Sequence, residues 1–313
     1  MSNDQPKTKT LSIAGTRLLL DGQPFPFQGL SFFNALYNPT FNASPEARDF
    51  WLRKFLANGV NALRVWCQWD FDPPRTYVDV APEHTLYTEQ GAVREAPFLR
   101  LAELLVAADR LGMVLEVVLF SQEHKPYLPV EVHRTATRQM VERLKPYRNL
   151  ILQIWNEELR DVYECCAIAK SVDPARIVTN SPGVANVLGD DAQNTMLDLL
   201  TPHTVRGSVE RFWEVAPAQL AGLLAKFNKP VIDDEPARNG LVQFGGIPGG
   251  TRPAQHIAQI EAVRRAGCYH LYHHDMFQRS YGDPATPPTG IPDPDFSPFH
   301  RQVFDYLQAH TRF

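Results

Sequence analysis

Two carboxylates are spaced as acid–base and nucleophilic chemistry would need them. Glu157 follows the apolar run 150–155 (LILQIW) and Asn156, and Glu235 follows the run 230–233 (PVID) and Asp234. Short apolar runs bounded by polar or turn residues read as buried strands. Side chains alternate along a strand, so Glu157 is expected to share a face with Trp155, Gln153 and Ile151. By the same rule Glu235 shares a face with Asp233 and Val231. If both faces line one cavity, the carboxyls meet at one mouth. Hydrolysis of a glycoside with retention needs two carboxyl groups about 5–5.5 Å apart, one to protonate the leaving oxygen and one to attack the anomeric carbon. Each motif also has a plainer reading. Asn156 can be a helix N-cap, with Glu157 and Glu158 favoured by the helix dipole, and Asp233-Asp234-Glu235 can be a solvated acidic loop. Their common position at the ends of buried runs favours the paired reading.

Other residues of chemical interest lie at the ends of similar runs. Arg64 stands near the end of 60–66 (VNALRVW), and Glu116 is a lone acid inside 113–119 (MVLEVVL), where it needs a buried partner such as Arg64. The run 197–200 is followed by Thr201-Pro202-His203, and the candidate first strand 25–30 by Ser31-Phe32-Phe33-Asn34. Residues 270–275 (HLYHHD) hold three histidines and an aspartate. Alternation puts His273 and Asp275 on one face and His270 and His274 on the other, which leaves too few to converge on a metal. A substrate-binding role for His273 or His274 is the better expectation. Trp66, Trp69, Phe71, Tyr77 and Tyr87 could form a wall on which sugar rings stack, or could simply pack a long loop.

The elements that would hold these residues repeat. Eight apolar runs (25–30, 60–66, 113–119, 150–155, 176–179, 197–200, 230–233 and 268–273) alternate with amphipathic segments. Ser44-Pro45-Glu46 is a helix start, and the apolar spacing of Phe98, Leu101, Leu104, Leu105 and Ala108 is helical up to Gly112. Further helices are expected before the seventh and eighth runs and over 131–145, 161–171 and 299–309. Strands alternating with helices imply parallel strands joined by crossovers. The prediction is an α/β protein, a single (β/α)8 TIM barrel, in which catalytic residues stand at the C-terminal ends of strands. A doubly wound open sheet would need a GxGxxG or Walker A motif near its first strand, and none is present. Residues 10–24, with turns at Ala14-Gly15 and Asp21-Gly22, predict a short N-terminal β-hairpin that closes the barrel floor. The expected division is a polar tail over 1–9 and one catalytic domain over 10–313.

At this point the sequence resembles a known group. A fourth strand ending in Asn-Glu, a seventh ending in Glu and an Arg at the end of the second are similar to the clan A glycoside hydrolases, the cellulase-like barrels. The resemblance covers about residues 24–310, with its specificity in short motifs such as IWNEE. It implies that Glu157 is the acid/base, Glu235 the nucleophile and Asn156 a ligand of the sugar 2-hydroxyl. It also implies that Arg64 keeps the nucleophile ionised, since a nearby cation lowers a carboxylate pKa, and that His203 is a substrate-side histidine. Asn34, Trp66, Trp69, His273 and His274 complete the expected substrate-binding set. Two positions depart from the family pattern: His203 is followed by Thr204-Val205-Arg206 with no tyrosine, and no tryptophan ends the eighth strand.

Composition narrows the partners. The 313 residues carry 31 basic and 35 acidic side chains, a net charge of −4, which gives no basic field for nucleic acid. No run is long and apolar enough to span a membrane. The polar start MSNDQPKTKT lacks the apolar stretch of a signal peptide, which predicts a cytoplasmic protein. Cys67, Cys165, Cys166 and Cys268 form no CxxC pattern and read as core thiols. Six of the 26 prolines fall between Pro284 and Pro298, which predicts an irregular loop or lid. The expectation is a retaining glycoside hydrolase acting on a β-linked oligo- or polysaccharide, with no cofactor and no metal. The alternatives are a catalytically silent carbohydrate-binding barrel and a metal-dependent hydrolase built on His203 and the 270–275 histidines.

Overall fold

The computed structural model describes residues 8–68, 85–121, 128–183, 187–205, 211–236, 251–274 and 289–311. Among them, β4 (Gln28–Ser31), β5 (Ala62–Trp66), β6 (Val114–Ser121), β7 (Leu150–Asn156), β8 (Val178–Ser181), β9 (Ile232–Asp233) and β10 (Tyr269–Tyr272) form one sheet. The order is β8-β7-β6-β5-β4-β10-β9, and every pairing is parallel. Parallel neighbours need crossovers, and helices supply them: α1 (Pro45–Ala57), α2 (Glu95–Arg110), α3 (Val130–Leu144), α4 (Val162–Val172), α5 (Asp191–Met196), α6 (Phe212–Phe227), α7 (Pro253–Arg265) and α8 (Pro298–Ala309). The expected start signals operate. The Ser44 side chain accepts the Ala47 N–H at 3.2 Å and the Ser297 side chain that of His300 at 3.3 Å, each just before a proline that opens the helix.

The sheet curls until its two edges face one another across segment 197–200. Asp198 N–H donates to the Val178 carbonyl at 3.0 Å, and Leu200 makes a parallel bridge to Val231. The predicted sixth strand is thus reduced to a single bridge. The reason is local: the Asp198 side chain takes the Val178 N–H at 2.8 Å, a ladder position a backbone carbonyl would otherwise fill. The short α5, capped by Asp190 through Gln193 N–H at 2.8 Å, is an element the sequence pattern does not signal.

Period-two alternation sorts the side chains. Ala62, Val114, Ile151, Ile177, Leu199, Ile232 and Leu271 point inward and form an apolar layer with Phe27 and Tyr269. Their neighbours Leu63, Val65, Leu115, Val117, Leu152 and Ile154 point outward and pack the main core against the helices. Below the inner layer lies the N-terminal element, an antiparallel meander of β1 (Leu11–Ala14), β2 (Arg17–Leu20) and β3 (Gln23–Pro24). It contains the predicted hairpin and one further strand. Leu11 and Leu18 join the inner layer, and Leu18 N–H donates to the Tyr269 hydroxyl at 2.9 Å, so the meander seals this end of the sheet. One step further along the strands the inner residues become polar, and the candidate site begins there.

The outer face of β10 carries a titrating group of a different kind. His270 and His274 point toward α7 and α8, where the His274 ring lies 5.3 Å from His256 and 5.1 Å from His300. Burial holds His256, His270 and His300 each at about 3, far below the ordinary imidazole value. A depressed value means that the unfolded chain binds these protons first, so stability is full above about pH 6.5 and is lost as pH falls toward 3. Thermal denaturation is expected to show a Tm that drops steadily below about pH 6.5. His270 has no hydrogen-bond partner on either ring nitrogen among the described residues, so His270→Leu should reduce that acid loss. An acid loss as large in His270→Leu as in the parent would show that this histidine does not contribute.

Candidate active site

Arg64, on the inner face of β5, is fully buried and commits its guanidinium to several acceptors. Its Nε donates to Gln153 Oε1 at 3.0 Å, Nη1 to Glu235 Oε1 at 2.9 Å and Nη2 to Asn156 Oδ1 at 2.6 Å, with Asp234 Oδ2 3.0 Å from Nη2. The forked, planar group matches this set in a way an ammonium could not. Trp66 covers one face, its ring centroid 4.6 Å from the guanidinium carbon, and Phe33 stacks on Trp66 at 4.6 Å.

The end of β7 does not follow simple alternation. Ile151 and Gln153 point inward, but the pairing with β8 is irregular between Gln153 and Asn156. An extra residue in a strand shifts the side-chain phase by one. Trp155 therefore turns outward, with its ring 5.1 Å from Phe120 and 4.8 Å from His133, and Asn156 turns inward onto Arg64. Glu157 then adopts φ +62°, a left-handed conformation uncommon for a residue with a side chain. Its N–H is still held by the Ser181 carbonyl at 2.9 Å. Gly183 packs directly on it: a Cβ at that position would lie 2.3 Å from the Glu157 Cα.

The end of β9 departs from alternation as well. Asp233 faces outward and accepts from Thr204 Oγ1 at 2.9 Å and from Gln259 Nε2 of α7 at 2.7 Å. The expectation that Glu235 shares a face with Asp233 is therefore corrected. The strand ends at Asp233, and the irregular backbone beyond it sends both Asp234 and Glu235 to Arg64. His203 lies between the two motifs, with Nδ1 3.1 Å from Glu157 Oε1 and 3.5 Å from Glu235 Oε2, and Nε2 3.6 Å from Asp234 Oδ2. His273 Nε2 is 3.7 Å from Glu235 Oε2, and its Nδ1 is 2.8 Å from Ser31 Oγ.

One atom each from Glu157, His203 and Glu235 lies within 4.8 Å of the others, the one such grouping of three His, Cys, Asp or Glu residues among those described. That spacing would admit a cation, yet Arg64 already faces Glu235 and His203 already faces Glu157. Burial alone would push the Arg64 guanidinium down, but the fields of Asp234, Glu235 and Glu116 hold it above its ordinary value. Burial drives the Glu116 carboxyl well above the carboxylate range, and Asp234 adds to this while Arg64 opposes it.

The structure brings Glu157, Glu235, Asn156, Arg64, His203 and His273 together. It does not bring His274, whose ring packs on Phe299 at 5.1 Å behind the sheet, on the face that alternation assigns to it. Trp66 is buried against Arg64 and Phe33 and offers no open stacking face. Asn34 is buried in the turn after β4, with no hydrogen-bond partner for Nδ2 among the described residues. Trp69 and Asp275 lie outside the described residues. Gln153, Asp234, Ser31 and Gly183 are participants that the motif search passed over. A lone Gln in LILQIW and a doubled Asp before Glu235 were the signals for two of them.

No protein-family model matches the sequence, and no curated protein matches it by sequence. Solved structures do match by fold, and among them are glycoside hydrolases of family 5, a clan A family. A β-glucanase from Saccharophagus degradans aligns with TM-score 0.68 at 15% identity over 98% of this chain and 95% of its own. A family 5 mannosidase from Rhizomucor miehei aligns with TM-score 0.65 at 14% identity over 96% and 99%. A family 5 glycoside hydrolase from Bacteroides vulgatus aligns with TM-score 0.63 at 17% identity over 86% of this chain. The chain spans 62% of the length of that protein and 66% of a second glycoside hydrolase. At these identities the likeness is one of fold. Among the described residues no helix is long and apolar enough to cross a membrane.

The contact of Gly183 with Glu157 gives a direct test. Gly183→Ala adds a Cβ against backbone at φ +55°, whereas Gly112→Ala adds one into open space at φ +70°. Both variants carry backbone strain of about 1–3 kcal/mol, but only the first must also displace Glu157. Denaturant unfolding should show the larger loss for Gly183→Ala, and equal losses would refute the close packing of these two residues.

Proposed function

We propose that residues 10–313 are one catalytic (β/α)8 barrel, with 197–200 in the place of its sixth strand, that hydrolyses a β-linked oligo- or polysaccharide with retention of configuration. The observation that carries this is the approach of Glu157 and Glu235 within 4.8 Å, each from the C-terminal end of a different parallel strand. That closeness suits the retaining arrangement, with carboxyl groups about 5–5.5 Å apart, better than the inverting one at about 6.5–9.5 Å. The fold shared with a β-glucanase and a mannosidase supports the same substrate class.

In the first step a Glu235 oxygen attacks the anomeric carbon. The glycosidic C–O bond breaks, and Glu157 gives its proton to the departing oxygen. In the second step Glu157 takes a proton from water, the water oxygen attacks the same carbon, and Glu235 leaves with its electron pair. Arg64 keeps Glu235 ionised and fixed before substrate arrives. Asn156 is the ligand for the sugar 2-hydroxyl, and His203 and His273 are donors at the rim of the sugar site. The chemistry requires no cofactor. The Thr204 side chain is tied to Asp233, so the position next to His203 supports the fold in place of contributing a phenol.

Glu157→Gln and Glu235→Gln should each lower turnover of an aryl β-glycoside by on the order of 1000-fold or more while leaving the Tm within a few degrees. Proton NMR of the first product should show the anomer of the substrate. Binding of oligosaccharide by calorimetry without release of reducing ends would establish the carbohydrate-binding alternative. Loss of activity on chelation, restored by metal, would establish the metal-dependent one.

A further inference from the structure

Three carboxyl groups converge on Arg64, and its nitrogens approach only two of them to 3.0 Å or less. The Nε hydrogen goes to Gln153, Nη1 serves Glu235, and Nη2 serves Asn156 and Asp234. Glu116, opposite Arg64 in the β5–β6 register, is left 3.8 Å from Nε with no hydrogen of its own. Neither of its oxygens has a hydrogen-bond donor among the described residues, and neither does Asp234 Oδ1. Glu116 and Asp234 border the same guanidinium, 3.8 Å from Nε and 3.0 Å from Nη2, and both side chains are fully buried. Two buried acceptors without donors on one guanidinium are satisfied together by one shared proton. An anionic Glu116 would be a buried charge beside two others with no donor to offset it.

We propose that Glu116 is a neutral carboxylic acid whose O–H donates to Asp234, and that this bond makes Glu116 the positioning residue for Arg64 and, through it, for Glu235. The proton belongs to Glu116 because Asp234 has the better anion site, with Arg64 Nη2 at 3.0 Å and His203 Nε2 at 3.6 Å. The other charged or titratable groups around the pair are Glu235, His203, His273 and Glu157, while β7 contributes the uncharged Gln153. With Glu116 neutral, the single charge of Arg64 is divided between Asp234 and Glu235. With Glu116 ionised, three anions would share it. This inference rests on the hydrolase reading for its effect on turnover, but the proton itself can be observed independently.

Infrared difference spectroscopy between wild type and Glu116→Gln at about pH 7, where a free carboxyl is ionised, should show a protonated-carboxyl band lost in the variant. No such band overturns the proposal whatever the activity. With an aryl β-glycoside that the wild type hydrolyses, Glu116→Leu should lower kcat on the order of 100-fold with little change in KM, as misplacing a reacting group does. Glu116→Gln, which keeps a neutral donor to Asp234, should recover most of that loss and keep the acid limb of the wild-type pH profile. If Glu116 is an anion, Glu116→Gln removes a negative charge beside Glu235 and the acid limb moves to lower pH, which also overturns the proposal. Glu235→Gln is the separate control: retained turnover there refutes the hydrolase reading and leaves the infrared result to decide the proton.

Discussion

The buried guanidinium of Arg64 is the constraint from which the polar interior follows. A cation without water must find its partners within the protein, and leaving it unpaired costs several kcal/mol. Arg64 meets that demand with acceptors from two other parts of the chain, Gln153 and Asn156 of β7 and the Asp234-Glu235 pair beyond β9. These parts are far apart in sequence and lie on opposite sides of β5 in the sheet order. One side chain therefore sets the distance between the two strand ends that carry Glu157 and Glu235. Trp66 and Phe33 shield it from water, which strengthens each of these bonds.

Reaching Arg64 requires the strands to break their own period. A regular strand presents every second side chain to the interior, yet Asn156 and Glu157 both face inward, as do Asp234 and Glu235. In β7 the change is made by an irregular register and a left-handed Glu157. The surroundings hold that unusual backbone in place. Asn180 accepts from Trp155 N–H at 2.9 Å and donates to the Glu158 carbonyl at 3.1 Å, and Gly183 leaves room for the Glu157 backbone. After β9 the strand simply stops, and Thr204 and Gln259 fasten Asp233 so that the next two residues can turn inward. Strain and irregularity are thus concentrated where two carboxyls must meet, as expected where backbone cost is offset by the surroundings.

The regular parts of the fold were legible in the sequence for the same reason that the irregular parts were not. Seven of the eight apolar runs are strands of one parallel sheet, and the Ser-Pro and glycine signals mark real helix ends, because burial and capping act over a few residues. Face assignments extrapolated from alternation held along β10, where His273 turns inward and His274 outward. They failed at Trp155 and Glu235, where the phase is set by the irregular pairing with β8 and by the end of the strand at Asp233, which have no local signature. The sixth run falls short of a strand because the Asp198 side chain occupies a backbone position. Glu116 was visible as a buried acid needing a partner. That the Arg64 Nε hydrogen nearest Glu116 goes to Gln153 instead follows only from the folded positions of these side chains.

An interior with this much charge costs stability, and the rest of the molecule is arranged to offset that cost. The inner apolar layer, sealed by the β1–β3 meander, and the larger core between sheet and helices contain the hydrophobic burial that stabilises the fold. Neither depends on the polar layer. The N-terminal end of the sheet is closed by Leu11, Leu18 and the Tyr269 hydroxyl bond, so the polar layer is sealed from below. It lies at the C-terminal ends of the strands, where Glu157 and Glu235 stand. Placing stability at one end frees the other to hold a dense set of charged groups, including three acids around one cation. It also explains why the same strands change character within two residues, from Ala62 to Arg64, from Val114 to Glu116 and from Ile151 to Gln153: each passes from the layer that holds the fold to the layer that arranges the charges.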